Sequence, residues 1–248
     1  MSEFKLPTEV IELPSKGLLY PEGSELAKGR IEMKYMTAKE EDILTNQSYI
    51  QKGTVLDKLM KSLIVSDIQY NDLLIGDKNA IMVAARILGY GKDYSFTISG
   101  ESHTVDLSLA EDKPLKKELF KDGKNNFEFT LPHSGNHVTF KLLTHQDEQA
   151  INRELDGLKK INKDSSPDLT TRLKHIITSV EGKTEKKDIR EFVDNYLLAR
   201  DSRALREYIK EIQPDVDLTF FPEGSSTRIN IPIGVNFFWP DAEWCSSS

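Results

Sequence analysis

Cysteine is nearly absent from the sequence, because the 248 residues include one cysteine, Cys245. A single cysteine excludes a disulfide within the chain and a zinc site built from several thiolates. The absence matters because segments 94–107 and 218–233 each read as strand, tight turn and strand. Hairpins of this shape often carry a Cys-x-x-Cys pair in the turn. We therefore predict zinc-ribbon-like hairpins that lack the cysteines and are held by packing and hydrogen bonds, with no metal ion.

Long apolar runs and an excess of positive charge are also missing. No stretch approaches the roughly 18 apolar residues of a membrane-spanning helix, and the opening MSEFKLPTEV has no apolar core of signal-peptide length. The net charge is −7, whereas a nucleic-acid coat usually presents a basic face. We expect a protein that folds in the reducing cytosol, with no nucleic-acid partner and no membrane-spanning segment.

Four regions follow from the spacing of proline, glycine and apolar residues. Residues 1–36 contain frequent proline and glycine, which predicts an extended N-terminal arm lying either along its own domain or along a partner. Residues 37–143 combine helical periodicity with two hairpin patterns. Residues 144–214 indicate a compact bundle of four helices, and residues 215–248 form a last hairpin and an aromatic tail. The predicted fold class is α+β, with helical segments and antiparallel β hairpins.

Several elements can be placed more closely. The segment Thr37–Glu40 is a capping-box pattern, which predicts a helix that continues to about Tyr49. Two alternating segments around the turn 132–136 predict a hairpin. Apolar residues between 169 and 180 share one helical face and predict a single helix. Asp201 and Ser202 are predicted to cap the last helix.

Two apolar segments supply the candidate partner-binding residues, one in the arm and one after the last hairpin. Side chains alternate along a strand, so three consecutive rings at 237–239 cannot all face one core. Either a second layer covers the outward rings, or they form an exposed patch of the kind that marks an interface. The candidate residues are Leu18, Leu19, Tyr20, Phe237, Phe238 and Trp239.

No arrangement of reactive side chains indicates catalysis. The HExxH, G-x-S-x-G and P-loop patterns are all absent. His133 and His137 flank one turn and His145 follows, so these three would be the ligands in a remote alternative, a metal-dependent hydrolase. The residues therefore predict no enzyme, no catalytic residue, no cofactor and no metal ion.

Six segments spread over most of the chain carry a resemblance to known proteins. They are Leu13–Pro21, Met36–Leu44, Leu74–Asp77, Arg86–Gly91, Arg200–Arg206 and Ile231–Pro240. Together they resemble a family of baseplate proteins from contractile-tailed bacteriophages of the T-even kind. Relatives often carry Cys-x-x-Cys in the two hairpin turns, and this chain departs from them at both turns. The resemblance therefore implies the hairpin shape but not the zinc.

The resemblance also implies a non-enzymatic role at the central baseplate hub, or in assembling it, through protein–protein binding. It leaves open a subunit retained in the virion and a factor that only helps the hub to form. A third alternative is a tail assembly chaperone that shields the tape-measure protein and is not retained. The expected partners are other hub or tail proteins, with the tape-measure protein in the third case. The expected location is the host-cell cytoplasm during assembly, and the virion tail baseplate for a retained subunit.

Overall fold

The computed structural model describes residues 6–98, 100–120, 123–161, 167–222 and 226–238. Within them the fold is mixed α+β, as the sequence predicts. The α-helices are α1 (Ala38–Leu44), α2 (Gln47–Gln51), α3 (Val55–Leu63), α4 (Ile75–Tyr90), α5 (His145–Ile161), α6 (Asp168–Ile176), α7 (Lys186–Asn195) and α8 (Ala199–Ile212). The strands are β1 (Thr8–Glu12), β2 (Arg30–Lys34), β3 (Asp93–Ile98), β4 (Glu101–Asp106), β5 (Phe127–Thr130), β6 (His137–Phe140), β7 (Ile177–Val180), β8 (Thr219–Phe220) and β9 (Ile229–Asn230).

The strands form small antiparallel sheets. The described residues contain the pairs β1–β2, β3–β4 and β8–β9 and the three-stranded sheet β5–β6–β7. The three hairpins predicted around residues 100, 134 and 224 are therefore confirmed as strand pairs. None of the helices in this part of the chain is long and apolar enough to cross a membrane.

The N-terminal segment is a hairpin that packs on its own domain. β1 and β2 pair from Thr8↔Lys34 to Glu12↔Arg30. Ile31 and Met33 alternate with polar residues and are buried, as are apolar residues of the connection between the strands. Of the two arrangements open for residues 1–36, the described part of the segment packs along its own domain. One continuous apolar core also crosses the boundaries predicted at 36, 143 and 214.

The helix predicted from Thr37 to Tyr49 is divided in two. Its start is as predicted, because the Glu40 carboxylate accepts a hydrogen bond from the Thr37 backbone N–H at 3.0 Å. Its end is wrong, because α1 ends at Leu44 and Asn46 caps a new helix by accepting from the Tyr49 N–H at 3.1 Å. An asparagine side chain competes with helical backbone bonds, which favours such a break.

The helix predicted over residues 169–180 is also shorter than expected. It ends at Ile176, and residues 177–180 form β7, which pairs with β6 through Val138↔Val180 and Thr139↔Ser179. β-Branched residues favour extended backbone, and the free edge of β6 supplies a partner. β7 thus interrupts the predicted helical bundle and joins it to the β5–β6 hairpin.

Asp201 and Ser202 do not cap α8, which begins before them, at Ala199. Both are buried in its first turn. The Asp201 carboxylate instead accepts the backbone N–H groups of His133 and Ser134, at 2.8 and 3.0 Å, in the turn between β5 and β6. A residue predicted to serve its own helix therefore anchors a distant turn.

Candidate functional site

Ser15, Tyr20 and Asp77 form a buried hydrogen-bond cluster. Asp77 Oδ2 accepts from the Ser15 hydroxyl at 2.7 Å and from the Tyr20 hydroxyl at 2.6 Å, and Oδ1 accepts from the Ser15 N–H at 2.9 Å. The Tyr20 oxygen in turn accepts from the Leu74 N–H at 3.0 Å. Burial raises the pKa of Asp77, and the bonds from Tyr20 and Ser15 oppose that shift. The first and third of the segments that carry the resemblance are therefore joined here.

Glycine allows the backbones around this cluster to approach closely. Gly76 lies in the first turn of α4, and a Cβ atom on it would be 1.8 Å from the carbonyl oxygen of Pro214. Gly17 has a φ of +77°, and a Cβ there would be 2.3 Å from the carbonyl oxygen of Ala27. A larger residue at either position would push apart elements that the cluster holds together.

Other segments that carry the resemblance also meet in the fold. A Cβ on Gly89 would be 2.9 Å from Met36 Cε, which places the second and fourth segments in contact. Tyr94 links the fourth and sixth, since its ring centroid lies 5.8 Å from the Arg86 guanidinium. Its hydroxyl donates to the Pro232 carbonyl at 3.2 Å. These segments therefore lie in packing contacts of the fold.

The predicted partner-binding residues of the arm face inward. Leu19 and Tyr20 are buried in the core, and Leu18 is half-buried against it. The Tyr20 hydroxyl is committed to Asp77. These side chains thus hold the N-terminal hairpin in place.

Of the two alternatives left open for the aromatic tail, burial and an exposed patch, Phe237 and Phe238 show burial. Both rings are buried, and the Phe237 ring packs edge-on against Tyr94 with 4.8 Å between centroids. The alternation argument fails because residues 235–238 form a 3-10 helix, in which neighbouring side chains do not point to opposite faces. Trp239 lies outside the described residues.

The three histidines of the hydrolase alternative do not converge. His133 and His137 are exposed around the β5–β6 turn, whereas His145 is buried at the start of α5. In the ranges that the structure describes, no three His, Cys, Asp or Glu side chains are grouped to hold a metal ion. His145 belongs to a different cluster.

That cluster is an ionic brace between α3, α4 and α5. His145 Nε2 lies 3.2 Å from Asp57 Oδ2, and Lys78 Nζ lies 3.1 Å from His145 Nδ1 and 2.7 Å from Asp57 Oδ1. An ammonium group only donates, so His145 Nδ1 accepts the hydrogen bond from Lys78. Burial acts to raise the pKa of Asp57, but the bonds from His145 and Lys78 hold it well below its usual range. The residues are too far apart in the chain for spacing to reveal them.

The two hairpins that lack cysteines pack against each other. Phe220 of β8 contacts Phe96 of β3 with 5.3 Å between ring centroids, and His103 of β4 with 5.2 Å. Aromatic contacts of this type add about 0.5–1.5 kcal/mol each beyond the burial of area. These ring contacts join the two hairpins.

A groove of about 420 Å³ separates β4 from β8 and is the candidate site. We call it the hairpin groove and define it by Asp106, Leu109, Glu111, Asp217, Phe221 and Arg228. Leu109 and Phe221 are 76% and 55% exposed, so two large apolar side chains face solvent. The Arg228 guanidinium lies 5.1 Å from the Phe221 ring centroid and 3.0 Å from the Asp217 carboxylate. Exposed apolar groups beside a groove are typical of an interaction surface.

Sequence analysis places Phe221 in a hairpin but not at an exposed groove. Its exposure depends on the separation of β4 from β8, which no local pattern encodes. In comparisons with known proteins, the chain matches no family model, no curated protein and no solved structure.

Proposed function

We propose that this protein is a non-enzymatic component or assembly factor of a bacteriophage tail baseplate hub and acts by binding other hub or tail proteins. One observation carries the proposal: segments that resemble T-even-type baseplate proteins contact one another in the fold. Ser15 and Tyr20 bond to Asp77, and Gly89 packs on Met36. Unrelated short matches would be expected to scatter over the surface, whereas matches in shared packing contacts support a shared architecture.

The chemistry of the described residues is consistent with a binding role. The buried carboxylates of Glu40, Asp77 and Asp201 accept hydrogen bonds from neighbouring elements and so serve the fold. The exposed apolar residues of the hairpin groove remain available for contact with another protein. We infer that the protein acts in the host-cell cytoplasm during late-stage tail assembly.

Mass spectrometry of proteins that copurify from infected cells tests this function. An affinity-tagged protein would be recovered from purified virions, from unassembled hub intermediates and from the soluble fraction, with an untagged infection as the control. Recovery from virions supports a retained subunit, and recovery from intermediates alone supports an assembly factor. Enrichment of the tape-measure protein in the soluble fraction alone would favour the chaperone alternative. Copurification with no tail protein would show that the proposal is wrong.

A further inference from the structure

The first wall of the hairpin groove is a strand edge. β4 pairs only with β3 in the part of the chain that the structure describes. Ile98 and Glu101 are paired across the tip of this hairpin and form a hydrogen-bonded pair. Hydrogen-bonded and non-hydrogen-bonded pairs alternate along an antiparallel ladder, so the pairs that contain Ser102 and Thr104 are not hydrogen-bonded to β3. The backbone N–H and C=O groups of Ser102 and Thr104 therefore point away from β3. Both residues are exposed.

The second wall is the edge of β8. Asp217 donates its backbone N–H to the Glu111 carbonyl at 2.7 Å, whereas the Leu218 carbonyl accepts from Ile231 on the opposite side at 2.8 Å. Backbone direction alternates along a strand, so Thr219 faces the same side as Asp217. There the ladder cannot continue, because Leu109 lies in a 3-10 helix. The edge at Thr219 therefore borders the groove.

The groove has an acidic rim. Three carboxylates, those of Asp106, Glu111 and Asp217, line it with one guanidinium, that of Arg228. Arg228 is already paired with Asp217 at 3.0 Å. Asp106 is likewise paired with Lys92 at 2.7 Å, so among the described residues of the rim the Glu111 carboxylate supplies the excess negative charge. That charge favours a positively charged partner and disfavours an acidic one.

We propose that the hairpin groove binds an extended, basic segment of another protein by strand addition. The segment carries one bulky apolar side chain between two Lys or Arg residues at alternate positions, which therefore share one face. Its backbone pairs with the edges at Thr104 and Thr219, and the apolar side chain covers Leu109 and Phe221. Main-chain bonds supply affinity in this mode of recognition, and side chains supply specificity. The inference rests on the proposed function in that it names the recognition element of a tail partner.

Three short synthetic peptides test the backbone and charge requirements separately. Fluorescein-labelled Lys-Thr-Phe-Thr-Lys is the probe, and its binding to the full chain is followed by fluorescence anisotropy. Glu-Thr-Phe-Thr-Glu reverses the charge, and Lys-Pro-Phe-Pro-Lys removes two backbone donors but keeps the charge. We expect each control peptide to bind on the order of tenfold more weakly than the probe.

Matched protein variants locate the site. Phe221→Ser and Glu111→Lys alter exposed groove residues, and each should weaken probe binding by about tenfold. Tyr196→Ser and Glu191→Lys are matched substitutions at exposed positions outside the groove, with Glu191 on α7 and Tyr196 directly after it. Both variants should bind the probe like the wild type. Circular dichroism of all four variants verifies that they remain folded.

Several results would overturn the inference. They include equal binding of the basic and acidic peptides, or full affinity in a folded Phe221→Ser variant. A dimer that Phe221→Ser converts to a monomer would identify the occupant as a second copy. A tenfold gain in probe affinity on removal of residues 239–248 would identify it as the chain's own terminus.

Copurification separates this inference from the proposed function. If wild type and Phe221→Ser recover the same hub proteins equally well, the function stands and the role of the groove fails. If the wild type recovers no tail protein but binds the probe as expected, the function fails and the groove remains a binding site.

Discussion

Replacing Tyr20 with Phe tests whether the buried cluster holds the N-terminal hairpin against α4. The substitution keeps the ring and removes one hydroxyl, which donates to Asp77 at 2.6 Å and accepts from the Leu74 N–H at 3.0 Å. A hydrogen bond contributes about 0.5–1.5 kcal/mol to a neutral partner and about 1.5–3 kcal/mol to a charged one, and a buried N–H without a partner costs about 1–3 kcal/mol. Because the two effects overlap at one atom, we expect the free energy of unfolding to fall by about 3 kcal/mol.

Urea unfolding at pH 7, followed by circular dichroism, measures this loss. Tyr35→Phe is the matched control, because the Tyr35 hydroxyl donates to the Glu9 carboxylate at 3.0 Å at an exposed site. The midpoint of urea unfolding of Tyr35→Phe should equal that of the wild type within error. Amide exchange at Leu74 should accelerate only in Tyr20→Phe. A loss below about 1 kcal/mol, or equal losses in both variants, would refute the assignment of the cluster as a clamp.

Three further predictions concern Glu40, the glycine pair Gly76 and Gly157, and Asp201. Burial acts to raise the pKa of Glu40, but hydrogen bonds from neighbouring side chains lower it to about 2. Glu40→Gln should therefore cost about 3 kcal/mol at pH 7. Gly76→Ala should cost about 3 kcal/mol, because the new Cβ would lie 1.8 Å from the Pro214 carbonyl oxygen. Gly157→Ala in α5 meets nothing within 4 Å and should stabilise by about 0.5–1 kcal/mol. Asp201→Ala should speed amide exchange in the β5–β6 turn, because two N–H groups lose their acceptor.

The Glu40 prediction has a defined pH window. A carboxylate with a lowered folded pKa contributes its stability above the unfolded value, near 4.5, and loses it as the pH falls towards 2. The difference in urea unfolding between wild type and Glu40→Gln should therefore shrink progressively as the pH falls from 4.5 to about 2. A gap that stays constant would contradict the role given to the charge. The glycine prediction fails if Gly76→Ala and Gly157→Ala unfold at the same urea concentration.

Elements with local signals could be predicted from the sequence. The capping box at Thr37 starts α1, and the turn at Gly100 joins β3 to β4, because the groups that decide each structure are close in the chain. β7 could not be predicted, because residues 177–180 fit a helical face and become a strand only against the edge of β6. The role of Asp201 could not be predicted either, because its hydrogen-bond partners lie in a turn far away in the sequence.

The candidate site was harder to predict than the fold. Phe237 and Phe238 were interpreted as strand residues, and that one error in backbone conformation kept an exposed interface open as an alternative for two core side chains. Phe221 and Leu109 had no distinguishing pattern, because an exposed apolar residue and a buried one look alike until the packing of both hairpins is known. Residue identity indicates what can be buried, while topology decides what is left uncovered.

The packing of Tyr94 has a consequence for the order of folding. Its hydroxyl meets the Pro232 carbonyl across 138 residues of chain, and Phe237 covers its ring. Until residues 232–238 have been synthesised, the aromatic surface of the β3–β4 hairpin at Tyr94 is exposed to solvent. Contacts between residues far apart in the chain slow folding. The nascent protein therefore exposes an apolar surface until the 3-10 helix at residues 235–238 packs against Tyr94.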